Sequence, residues 1–82
     1  MNRPYTSKIN GQEAEFYNEL IGQLVERRKK LRLSQADLDQ MIGVSESMVA
    51  KWESKARLPG AFVLMCWAKA LGLKLYAKEE EQ

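Results

Sequence analysis

Histidine is absent from the 82 residues, and cysteine occurs once, at Cys66. Without histidine a zinc site of the ordinary kind has no ligand set, and a single cysteine excludes an intramolecular disulfide. Cys66 lies in an apolar segment, so it is read as a small buried hydrophobe rather than a redox sensor. No apolar run approaches the ~20 residues of a membrane-spanning helix, and the N-terminus lacks the basic-then-apolar layout of a signal peptide. A soluble, cytoplasmic protein without a membrane partner is the expectation. Also missing are a Gly-rich phosphate loop and clustered acids suited to metal catalysis. Asp37 and Asp39 stand two apart on a helical pattern, which points them away from each other. No catalytic residue, metal ligand or cofactor is therefore assigned, and an enzyme is not expected. The length admits one domain, near the size where a single core is only marginally sufficient and dimerisation or a partner helps.

What is present is mostly helical punctuation. Ser34 can accept from the backbone N–H groups that open a helix, and Asp37, three residues on, can reach back to the Ser34 N–H, which is the logic of a capping box. The helix starts near Gln35. Ala36, Leu38 and Ile42 are its apolar positions, and Gly43 supplies the left-handed backbone that ends a helix. Val44 plugs the corner and Ser45 caps again. Val49 and Trp52, three apart, then share one face of a second helix of about ten residues, over 45–54. Its other face, Glu46, Ser47, Ala50 and Lys51, is polar or small and unneeded for a core. Two short capped helices about a Gly turn, with Pro59 soon after, have the spacing of a helix-turn-helix.

Around this pair lie four further segments. Residues 1–12, with Pro4, Ser7, Asn10 and Gly11, read as a flexible arm, in which Arg3 and Lys8 are either nucleic-acid contacts or part of a disordered terminus. Residues 13–31 carry an amphipathic helix with Phe16, Leu20, Leu24 and Leu31 on one face and Tyr17, Ile21 and Val25 beside them, a stripe wider than one buried face requires. Residues 60–72 form another helix with Val63, Leu64, Trp67, Ala68 and Leu71 as core and Gly72 as its stop. Trp52 and Trp67 are expected to meet in that core. Residues 74–82 form the C-terminal part. The alternation from Leu73 to Lys78 reads as a short strand that would pair outside this chain, or as an extended tail covering the bundle.

Taken together, Arg28, the run Leu33-Ser34-Gln35-Ala36-Asp37-Leu38, Gly43-Val44-Ser45, Val49, Trp52-Glu53, Pro59 and the run Ala68-Lys69-Ala70-Leu71-Gly72-Leu73 resemble the phage-repressor and Cro-like helix-turn-helix family, also called XRE. The resemblance covers about residues 20–73 and makes 13–73 the DNA-binding domain. It implies an all-α fold, a small four- to five-helix bundle of lambda-repressor-like type. Two departures stand out. Asp39 sits where the family places a small Ala, and a carboxylate there must stay wet or find a partner. Lys55 replaces the usual Gly, which implies a different exit from the second motif helix or an added phosphate contact.

The implied function is a transcriptional regulator, a repressor or autoregulator. It binds an inverted-repeat operator in double-stranded DNA as a homodimer, with helix 45–54 in the major groove. An antitoxin that binds both its toxin and its own operator is the alternative, and a protein-binding module that has lost DNA binding is a third. By matching position, Glu46, Ser47 and Lys51 face base edges. Lys51 suits guanine O6 and N7, Glu46 a cytosine N4 amino group, and Ala50 a thymine methyl. Gln35 and Ser54 match phosphate contacts, and Arg28 pairs with Glu53 to lock the reading helix to the scaffold. Charge adds Lys55, Arg57 and Arg32 as phosphate contacts. From residue 27 to 57 there are eight basic residues against four acidic ones, whereas the rest of the chain has five against seven. Positive charge is thus concentrated on the motif and the segment leading into it. The run from Arg27 to Arg32 also suits a helix C-terminus, where cations favour the macrodipole.

Overall fold

A computed structural model describes residues 11–79, which form four helices: α1 (Gln12–Lys30), α2 (Gln35–Ile42), α3 (Met48–Glu53) and α4 (Ala61–Ala70). The expected small all-helical bundle is what forms. Most of the expected N-terminal arm, with Arg3 and Lys8, lies outside the described residues, as does the end of the acidic tail.

The start of α2 follows its sequence. Asp37 N–H donates to Ser34 Oγ and Ser34 N–H donates to Asp37 Oδ2, both at 2.9 Å, so two of the N–H groups left over at a helix start are satisfied reciprocally. Helix ends use one device throughout. A left-handed residue turns the chain, and the N–H groups after it fold back on the last carbonyls. At the end of α2 this residue is Gly43 (φ 86°), and both Gly43 N–H and Val44 N–H donate to Asp39 O. For α4 it is Gly72 (φ 75°), with Leu73 N–H donating to Ala68 O. Arg32 (φ 60°) and Lys55 (φ 65°) take the same conformation after α1 and α3 without being glycine. Lys55 therefore keeps the turn a glycine would make instead of redirecting the chain.

The core lies where the four helices meet. Ile21 and Leu24 come from α1, Leu38 from α2, Val49 and Trp52 from α3, and Trp67 and Ala68 from α4, with Leu71 just beyond it. The two indoles do meet, at a centroid distance of 5.3 Å and a tilt of 38°. Burial of so much aromatic surface in a small domain is a large share of its apolar driving force. Arg27 Nε donates to Leu71 O at 2.9 Å, tying α1 to the end of α4.

Several expected core positions are not buried. Ala36 is exposed and Asp39 takes the inward place beside Leu38, because the buried face of α2 follows 38, 39 and 42. Phe16 is also exposed, since the face of α1 that meets the bundle runs through Ile21, Leu24 and Arg28, and Leu31, in phase with that face, is exposed because it falls just past the end of the helix. Cys66 is half-buried. No strand occurs among the described residues. The segment after Gly72 is instead an extended tail, with Leu73 and Leu75 packed on the core while Lys74 and Tyr76 face water, and one-sided packing of an extended chain produces the same alternation as a strand.

Candidate nucleic-acid interface

The surface in question is built on α3, which has only six residues. A free helix of that length does not persist in water, so its conformation must be imposed from outside. Val49 and Trp52 fasten its inner face into the core, while Lys51 projects from the opposite side and is exposed. Ala50 is half-buried. Each end is then held by a carboxylate.

At the C-terminal end, the Glu53 carboxylate accepts from Arg28 Nε (2.6 Å) and Arg28 Nη2 (3.0 Å), a two-pronged pair. Arg28 Nη1 also donates to Leu33 O at 2.8 Å, so the guanidinium spans three elements. The side chains of the pair are 11% and 8% exposed, so the pair is largely shielded from water. Gln35 Nε2 donates to Glu53 Oε1 at 2.8 Å. The Gln35 amide, expected on a phosphate, is thus engaged in the scaffold, and only the start of α2 remains to meet a backbone there. Glu53 is neutralised by these donors and is no obstacle to an anionic ligand.

The N-terminal end was not anticipated. Asp39, 4% exposed, reaches from α2 and accepts from Ser47 N–H (2.9 Å) and Val49 N–H (2.8 Å). Of the two outcomes open to this carboxylate, staying wet or finding a partner, it has taken the second, at the start of the next helix, where it also meets the positive end of the peptide dipoles. Ser47 is left-handed (φ 73°, ψ 5°) and makes no side-chain cap. As a result α3 starts at Met48, and Glu46 and Ser47 lie in the turn before it, in place of the helix over 45–54 that the Ser45 cap predicts. Both are exposed. Nothing in the local sequence marks Asp39 as a cap, because its partners lie eight and ten residues on, across a turn.

Arg32 comes before α2 in the chain, and Lys55 and Arg57 come after α3. Arg32, Lys55 and Arg57 are all exposed, and Ser54, also exposed, uses its hydroxyl to donate to Lys51 O and accept from Ala56 N–H, closing the end of α3. Residues 46, 47, 50 and 51 therefore offer a short, rigid, polar surface, with side-chain cations before α2 and after α3. Chemically it suits an anionic polymer with hydrogen-bonding edges.

Residues 24–77 match the family model described as helix-turn-helix. Over 54 residues, 65% of the chain, the sequence is 39% identical to the protein named "Repressor protein C2" of Salmonella phage P22, and the match covers 25% of that protein. The chain thus spans about a quarter of the length of this relative. No solved structure matches the chain.

Proposed function

Because the chain belongs to the phage-repressor and Cro-like helix-turn-helix family, we propose that it is a DNA-binding transcriptional regulator, a repressor or autoregulator working in the cytoplasm. It reads an inverted-repeat operator as a homodimer. The observation that carries this reading is the fixing of α3 at both ends while its outer side stays polar and exposed. A helix placed this way fits the major groove of B-DNA, and a two-fold pair of them sets half-sites about one helical turn apart. Lys51 reads guanine from the helix, Glu46 and Ser47 meet base edges from the preceding turn, and Ala50 sits at the margin where a thymine methyl packs. Arg32, Lys55, Arg57, Ser54 and the start of α2 at Gln35 lie on the backbone. Arg32 and Lys55 gain support from their conformation: each is a left-handed non-glycine residue at a place where glycine is unstrained, and keeping a cation there has a reason if the charge is used.

The test is selection from a random pool of duplex DNA with wild type and Lys51→Ala. An enriched inverted repeat is expected, with about 1–3 kcal/mol lost by the variant on the best site and a changed preference at the base it faces. Arg57→Ala should weaken all duplexes alike and lower the salt slope by about 1. Equal effects of both variants on every sequence would remove the base-reading assignment.

A second reading, an antitoxin that masks a toxin as well as binding its operator, is favoured by one feature. Phe62 and Met65 sit three apart on the outer side of α4 and are 80% and 51% exposed. Beside them lies an open groove of about 500 Å³ lined by Met65, Lys69, Leu73 and Leu75. Co-purification of the neighbouring gene product with wild type but not with Phe62→Glu would support it.

A further inference from the structure

The sequence from Val44 to Glu53 contains a local instruction that the structure does not follow. Ser45 is placed to cap a helix running straight through Glu46 and Ser47, yet Ser47 stands at φ 73°, a conformation that disfavours any residue with a Cβ. Something must hold it there. The bonds made by this turn are few: Met48 N–H reaches Ser45 O at a long 3.3 Å, and Lys51 N–H donates to Ser47 O as the first bond of α3. The two strong ones are those from Ser47 N–H and Val49 N–H to the two oxygens of the buried Asp39 carboxylate.

We propose that Asp39 is the positioning residue that selects the shape of the reading edge: by accepting from Ser47 N–H and Val49 N–H at once, it holds Ser47 left-handed, starts α3 at Met48, and presents Glu46 and Ser47 from a turn rather than from a helix face. With Asp39 gone, Ser47 relaxes to the right-handed region, Ser45 becomes the cap, and α3 lengthens backward. Glu46 and Ser47 then rotate onto the helix, while Lys51, whose place is set by Val49 and Trp52 in the core, stays where it is. Asp39 touches no ligand in this scheme. It determines specificity through the two residues it arranges, and this consequence for DNA rests on the function proposed above.

The experiment has two arms that fail separately. In the first, wild type, Asp39→Ala and Asp39→Asn are compared by NMR of the full chain. In Asp39→Ala the shifts of residues 45–47 should become helical, with Val49 N–H passing from the carboxylate to the Ser45 carbonyl of the lengthened helix. Asp39→Asn keeps the shape and one acceptor oxygen, so it should fold even if the alanine variant does not, and should release one of the two amides. In the second arm the same proteins select DNA. Preference should change at the base pairs facing Glu46 and Ser47 and persist at those facing Lys51. Unchanged shifts in both variants overturn the proposal whatever the DNA does, as does a folded Asp39→Ala with a helical turn and the wild-type preference. If wild type enriches no duplex, the DNA reading fails, and the NMR arm still decides the role of Asp39 in the turn.

Discussion

The two ends of α3 are held by the same chemical group in opposite ways. At the start, the carboxylate belongs to the scaffold, and Asp39 on α2 accepts from the backbone of the helix it holds. At the finish, the carboxylate belongs to α3 itself, and Glu53 accepts from side chains of α1 and α2. The difference matters for what each can control. A scaffold group that binds backbone N–H dictates where the helix begins and so which residues lie on it. A helix side chain that binds the scaffold leaves the backbone alone and decides only whether the helix stays docked. Losing the first should change shape, and losing the second should cost attachment.

The strongest way to break this contrast is to remove Arg28 or Glu53. Either change leaves a charge with 8–11% exposure facing the interior without its partner, and such losses amount to about 3–5 kcal/mol. Urea unfolding of Arg28→Ala and Glu53→Ala should show it, with a double-mutant cycle giving strong coupling. Singles that cost under about 1 kcal/mol would mean that the C-terminal attachment is superficial. Asp39→Ala comes next, at about 1–3 kcal/mol. It should stop short of the Arg28 effect because the released N–H groups can be satisfied again in a longer helix. Gln35→Ala should lose about 1 kcal/mol, the size of one ordinary hydrogen bond, because the Glu53 carboxylate retains two other donors. A larger effect on DNA binding than on stability would show that Gln35 leaves Glu53 for a phosphate when DNA arrives.

The two ends also differ in how they could be read beforehand. The Arg28–Glu53 pair spans 25 residues and was accessible only through resemblance to the phage-repressor and Cro-like family. The capping box at Ser34 and Asp37 needed no relatives, because its partners are three residues apart on one turn. Asp39 was legible only as a departure. Its role depends on how α2 packs against α3, and the nearer signal, Ser45 as a cap, pointed to a longer helix. Likewise Arg27 belonged by composition to a solvated basic run, yet it binds Leu71 O across 44 residues. Periodicity misled at Ala36, which lies one step off the face that the bundle covers, and at Leu31, which keeps the phase of the buried face but falls past the end of α1. At Leu73 and Leu75 the alternation was correctly seen, but period two does not distinguish a paired strand from an extended tail lying on a core.

Lys55 allows stability to be separated from binding. It sits at φ 65° just after α3, where glycine is free of the Cβ clash, so Lys55→Gly should raise stability, by about 0.5–1 kcal/mol. If the cation serves a phosphate, the same variant should bind duplex DNA more weakly at every sequence, with a shallower salt dependence. Higher melting temperature together with unchanged DNA affinity would leave the strain at Lys55 without a functional reason.

The smallest effect sharpens the comparison by moving it into water. Asp37 does for α2, in the open, what Asp39 does for α3 in the interior: a carboxylate accepts a backbone N–H at a helix start. The Ser34 backbone N–H, and after it the Ser34 hydroxyl, hold the Asp37 carboxyl below its ordinary value of 3.8. Because the folded value is depressed, the contribution is present in full above the unfolded value and is lost as pH falls through the folded one. The stability difference between wild type and Asp37→Asn should therefore be constant from neutrality down to about pH 5 and shrink below pH 4. It should also fall with added salt, as an exposed charge interaction does. A difference that ignored both pH and salt would mean that the Ser34 hydroxyl alone caps α2, and that a carboxylate at a helix start in this protein matters only where, as at Asp39, water is excluded.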